Sequence, residues 1–230
     1  MSRTPSQVGA YSRRKGAAFE RKIARLFADW TGYPCRRTPM SGAYGAEWNL
    51  AGDLMFSRGD HPWKSNSPPL LIELKRREGW TMDQIVARTG PFFDWWRKLG
   101  SEWRKATEVI YTQDQAWWKR THPDDPYVPS SRTHHTPLIP MLIFKRNNGV
   151  IWVATVVQPP DPDRGTIFEG PPFVKLGPNL FIYPLQCLLN SPFTPFSNRA
   201  RTGAKAMYWN WLHFCHVSDE VLGHPSATEE

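Results

Sequence analysis

Phe19, Ile23, Leu26, Phe27 and Trp30 recur at steps of three and four residues. This spacing predicts an amphipathic helix over 13–32 with one apolar stripe. Arg14, Arg21, Lys22 and Arg25 fall on the opposite face, and Gly32 is a stop signal. Glu20 lies about 100° around the helix from Phe19, at the edge of the stripe, where it can face a cleft. Residues 1–12 are polar and expected to be loose, and 36–52 is turn-rich with three glycines. A short strand is expected from Asp53 to Phe56 and another over 70–75 ("LLIELK"), joined by a long loop as a hairpin-like pair. Thr81 with Gln84 forms a capping-box pattern for a helix from about 82, broken at Gly90–Pro91. Phe92, Trp95, Trp96, Leu99 and Trp103 then carry helical spacing to about Glu108. Residues 139–157 read as two strands around Asn148–Gly149. The later chain is Pro-rich, with an aromatic, helix-like stretch at 206–217. This order predicts an α/β or α+β domain around a mixed sheet.

The strand at 70–75 carries an unusual pair of charges. Side chains alternate along a strand, so Leu71, Glu73 and Lys75 share one face while Ile72 and Leu74 face the core. If Asp53 on the neighbouring strand points the same way, two carboxylates converge. A hard cation such as Mg²⁺ suits them, being commonly held by one or two carboxylates with water and phosphate in the remaining positions. The Leu74 carbonyl is a further candidate oxygen ligand. Lys75 is placed to orient a water for attack on a phosphate. Taken alone, Glu73 and Lys75 fit a solvent-facing ion pair on an edge strand better than they fit a site.

Charge changes the balance. Lys and Arg number 29 against 21 Asp and Glu, a formal net charge of +8, which favours polyanion partners. Cys35, Cys187 and Cys215 show no disulfide framework or CxxC pair, and no stretch has the length or apolarity of a membrane span. A cytoplasmic protein is expected, in the host cytoplasm if a phage encodes it, with no membrane partner. Trp95, Trp96, Trp103, Trp117 and Trp118 suit base stacking in principle, but helical spacing favours core packing or an interface.

The segments "SRRKGAAFERKIARLF", "CRRTPMSGAYG", "AGDLMF" and "LLIELKRR", in this order, resemble the PD-(D/E)xK nuclease core, closest to archaeal-type and phage Holliday-junction resolvases. The resemblance covers roughly 12–157. It implies a restriction-endonuclease-like α/β core over 13–157, with a mixed central sheet flanked by helices; the polar, flexible 1–12 and the Pro- and aromatic-rich extension over 158–230 are read from composition and lie outside the resemblance. The resemblance also implies Asp53 and Glu73 as metal ligands, Glu20 as a helix glutamate that helps hold the metal, Lys75 as the motif lysine and Ser41 as an active-site loop serine. Gly52 stands where a proline often precedes the aspartate. Arg13, Arg14, Lys15, Arg36, Arg37, Arg76 and Arg77 surround this set and are candidate phosphate contacts. The implied protein is an endonuclease dependent on Mg²⁺ or Mn²⁺, acting as a homodimer on branched DNA. A restriction- or repair-type nuclease on duplex or flap DNA, and a non-catalytic DNA-binding protein, are the alternatives.

Overall fold

The structure is a computed structural model that describes residues 5–39, 52–56, 68, 70–121, 123–124, 138–156, 173–176 and 180–190. Its first element, α1 (Pro5–Thr31), begins before the expected start at 13 and takes in most of the polar N-terminus. Phe19, Ile23, Ala24 and Phe27 are buried along it. Gly32 ends it with φ +71°, donating its N–H to the Ala28 carbonyl at 2.9 Å. That left-handed backbone is what glycine tolerates at a helix terminus.

Three strands follow, β1 (Cys35–Arg37), β2 (Leu54–Phe56) and β3 (Leu70–Arg76). β1 was not evident from the sequence, because three residues reading Cys-Arg-Arg carry no apolar alternation. Helix α2 (Met82–Val86) starts at Thr81, whose hydroxyl accepts from Gln84 N–H at 3.1 Å while the Gln84 side chain accepts from Thr81 N–H at 3.0 Å. The expected capping box is therefore formed. Helix α3 (Phe92–Thr121) extends well beyond Glu108, and the hairpin of β4 (Ile139–Lys145) and β5 (Trp152–Thr155) comes next. The sheet does not stop there. β6 (Val174–Lys175) and β7 (Phe181–Pro184) add to its far edge, and α4 (Leu185–Leu189) closes the described chain.

The seven strands among the described residues form one sheet in the order β1-β2-β3-β4-β5-β7-β6. β3 and β4 are parallel and every other neighbouring pair is antiparallel. The crossover between β3 and β4 is made by α2 and α3, as a parallel pair requires. This is an α/β architecture of restriction-endonuclease-like type, a mixed sheet flanked by helices.

The register assigns the two faces. Glu73, Lys75, Leu142 and Phe144 share one, since Glu73 pairs with Leu142 and Lys75 with Phe144. On that side the Phe144 ring meets Trp80 at 4.9 Å and Phe92 at 5.3 Å between centroids, and Trp103 Nε1 donates to the Leu138 carbonyl at 2.7 Å. α3 covers this face. Ile72, Leu74 and Arg76 lie on the other, where Arg76 Nη1 donates to the Lys15 carbonyl of α1 at 3.4 Å. The sheet is thus covered on both sides, and Leu71 is as deeply buried as Ile72. The expectation that only the Ile72–Leu74 face enters the core is corrected, because β3 is a central strand enclosed by β2, β4 and both helix layers. Trp96 and Trp103 are core residues and Trp95 is half-buried against the core. The side chains of Trp117 and Trp118 lie outside the described residues, as does the 206–217 stretch.

Candidate active site

Asp53 sits just before β2, where the chain leaves the β3 edge. Its N–H donates to the Ile72 carbonyl at 2.7 Å, and its Oδ2 accepts from Leu74 N–H at 2.7 Å. Asp53 is therefore held against β3 by two hydrogen bonds to the strand's backbone, one of them to the carboxylate. Backbone groups two residues apart on a strand face the same edge, so the Leu74 carbonyl is also directed toward the β2 side.

Gly52 makes this approach possible. Its φ is +82°, and a Cβ there would meet the Ile72 carbonyl oxygen at 2.7 Å and Leu71 Cδ1 at 3.2 Å. A proline, locked near −65°, cannot adopt that backbone. The departure from the usual proline thus has a steric reason: here the chain turns through a glycine conformation to bring Asp53 onto β3. Gly52→Ala is expected to push Asp53 away from Leu74 and reduce cleavage about 100-fold, since displacement of a reacting group by about 1 Å costs that much. Cleavage rates for the variant beside wild type, with circular dichroism to check folding, test this. A rate within twofold of wild type would refute it.

Glu73 is 4% exposed, which rejects a solvent-facing ion pair. Its Oε1 accepts from Lys75 Nζ and lies 3.7 Å from Lys98 Nζ of α3. Lys98 also pairs with Glu102 at 3.4 Å, one turn further along the helix. Lys98 and Glu102 were missed by sequence reasoning. Their only signal was an i, i+4 Lys–Glu pair, which on most helices faces water.

The electrostatics bind these groups into one site. Burial, then repulsion from Glu73, pushes the Asp53 carboxyl up to about 7, with Glu20 adding to the effect. The Leu74 N–H and the Lys75 ammonium oppose it only in part. The Lys98 ammonium is held above its usual range chiefly by Glu73, with Asp53 a lesser contributor. Burial and then Glu73 raise the Glu102 carboxyl.

Glu20 reaches the same region from α1, but its carboxylate is taken by Arg37 Nε of β1. Among the described residues no group of three His, Cys, Asp or Glu side chains is close enough to hold a metal ion. What the structure assembles is a pair, Asp53 and Glu73, under-neutralised and built of hard oxygens. That donor set fits Mg²⁺ or Mn²⁺, which need few protein ligands, better than it fits a closed zinc site.

Ser41 lies outside the described residues. Arg13, Arg14, Arg36 and Arg77 are exposed, Arg37 is engaged by Glu20, and Lys15 and Arg76 are half-buried on the α1 face. The basic candidates are therefore divided between two sides of the sheet.

Residues 11–118 match the model of a family described as phage putative PDDEXK endonuclease. The match supports a nuclease of the PD-(D/E)xK type. It runs from α1 into the last turns of α3, so it includes Glu20, Asp53, Glu73, Lys75, Lys98 and Glu102 and leaves out β4 to β7. No curated protein and no solved structure matches the chain. PD-(D/E)xK nucleases generally use divalent metals, and nuclease chemistry implies a DNA substrate. No helix among the described residues is long and apolar enough to cross a membrane.

Proposed function

We propose that this chain is a Mg²⁺- or Mn²⁺-dependent endodeoxyribonuclease that acts as a homodimer on branched DNA, with the four-way junction as its substrate. The observation that carries the nuclease reading is the convergence of Asp53 and Glu73 beside Lys75, with the Asp53 carboxyl raised by burial and then by Glu73. Two carboxylates that repel each other in a buried setting are a site prepared for a cation. The junction and the dimer rest on the sequence resemblance, and on the need for two sites to cut two strands symmetrically.

In this reading Asp53 and Glu73 are direct ligands, the Leu74 carbonyl supplies a third oxygen, and Glu20 contributes through water. A bound divalent cation supplies neutralisation of charge on the phosphate and acidifies water. Lys75 hydrogen-bonds Glu73 and orients the attacking water, and Ser41 hydrogen-bonds the scissile phosphate. Lys98, exposed at the rim beside Glu73, adds positive charge where the phosphate enters.

Labelled four-way junction, flap, linear duplex and single-stranded DNA, each with Mg²⁺, Mn²⁺ or chelator, test the proposal. Paired, symmetric, metal-dependent cuts confined to the junction are expected, with a dimer seen by sedimentation. Cutting of duplex or flap in preference would replace the junction reading with a restriction- or repair-type nuclease. No cleavage of any substrate with either metal would leave a DNA-binding protein.

A further inference from the structure

A second charged cluster lies on the opposite face of β3 from Glu73 and Lys75. Arg76 and Lys145 are register partners at the ends of parallel β3 and β4, so two cations stand side by side on one face. Like charges so placed repel and destabilise a sheet. Instead of a carboxylate, α1 brings more cations to this point. The Lys145 ammonium is lowered by burial and then by Arg76, Lys22 and Lys15 in turn, with no acidic group among its influences. Arg76 Nη1 donates to the Lys15 carbonyl, while its buried Nε has no partner among the described residues. Glu78, an acid that feels Lys15, is occupied by Arg146 Nε at 3.3 Å and Asn147 N–H at 2.6 Å.

The cluster continues along α1. Arg21, Lys22 and Arg25, with Ala18 and Leu26, line a depression of about 420 Å³. From Lys15 to Arg25 the helix rises about 15 Å, which matches roughly four base steps along one DNA strand.

We infer that Lys15, Lys22, Arg76 and Lys145 form a phosphate-binding site on the α1 face of the sheet, across the sheet from Glu73, which holds the backbone of bound DNA beyond the point of cleavage. The choice of DNA as occupant rests on the nuclease reading. The chemistry is that of a phosphodiester: a guanidinium and three ammonium groups gathered on one face, with no acid among the influences on Lys145, offer charge-assisted hydrogen bonds to its oxygens. Anchoring there leaves the strand to cross the sheet edge toward Asp53, which explains why the basic residues are divided between two sides.

The test is anisotropy of a short labelled duplex in chelator over a salt series, with cleavage in Mg²⁺ measured in parallel. For the double variant Lys22→Gln, Lys145→Gln the affinity should fall about tenfold, and the slope of log affinity against log salt should drop by about two. The control Arg104→Gln, Lys105→Gln loses the same charge from exposed positions on α3 and should change binding less than twofold. Thermal stability of the Lys22→Gln, Lys145→Gln chain should hold or rise, because repulsion is relieved, whereas a structural role for these lysines would lower it. Equal weakening by both double variants, an unchanged salt slope, or no binding by the wild-type chain would overturn the site. Wild-type cleavage with no difference between the double variants removes this site and leaves the nuclease. Selective loss of binding in a wild-type chain that cuts nothing leaves the site and removes the nuclease.

Discussion

Asp53→Asn is expected to lower DNA cleavage by about 1,000-fold or more while making the metal-free protein more stable. The loss is about 4 kcal/mol of transition-state stabilisation, reasonable for removal of one of two charged oxygen ligands. The gain follows from the same charge. Asp53 is half-buried, its carboxyl is raised from 3.8 to about 7, and burial and Glu73 are the leading causes. An asparagine removes that repulsion and keeps an oxygen for the Leu74 N–H. Stabilisation by about 1–3 kcal/mol at pH 8 is expected in chelator, the usual range for relieving a poorly compensated buried charge.

The pH dependence has a definite sign. An unfolded chain releases the Asp53 proton near 4, and the folded one holds it to about 7. Between these values the folded state binds more protons, so wild-type stability falls as pH rises through the window and levels off above it. The advantage of Asp53→Asn should therefore grow from pH 4 to 7 and then stay constant. Mg²⁺ or Mn²⁺ should raise the wild-type melting temperature and leave that of the variant unchanged, since a ligand stabilises only the state that binds it. Melting curves with and without metal, beside a cleavage assay, decide the matter. A variant that cuts normally, or one that melts lower than wild type in chelator, would refute this assignment of Asp53.

Phe144→Ala should cause the largest loss of stability. Phe144 is fully buried, and its ring is wedged between Trp80 before α2 and Phe92 at the start of α3. Truncation leaves a void at the junction of β4 with both helices. The cost is about 3–5 kcal/mol, as for other buried aromatic deletions. For a chain of this size it lowers the melting temperature by about 10 °C or more. Phe144 is also the register partner of Lys75, so the damage borders the candidate site. Urea unfolding should show a lower midpoint with an unchanged slope, and a midpoint equal to that of wild type would mean the core repacks.

Local features were legible wherever the chain carries its own signal. The α1 stripe, the Gly32 stop, the Thr81–Gln84 box, strand β3 and the β4–β5 hairpin depend on near neighbours and on side-chain period. Strands β1 and β6 were not, because with three and two residues, one of them reading Cys-Arg-Arg, they show no apolar alternation, whereas three-residue β2 was marked by its apolar Leu-Met-Phe. Nor were the lengths of the two long helices, since polar residues at their ends form helix without advertising it in an apolar pattern.

The candidate site divides in the same way. From the sequence alone, Glu73 and Lys75 share a face, Asp53 begins the preceding strand, and the chain resembles a nuclease core. Burial of that face was decided only in three dimensions. Parallel pairing of β3 with β4 joins segments more than sixty residues apart, and the crossover that this pairing demands lays α3 over Glu73, bringing Lys98 and Glu102 with it. The same register puts Lys145 beside Arg76 on the far side, under α1. Alternation along a strand specifies which side chains travel together. What covers each face, and so what charge each side chain meets, depends on contacts between distant segments that no local pattern encodes.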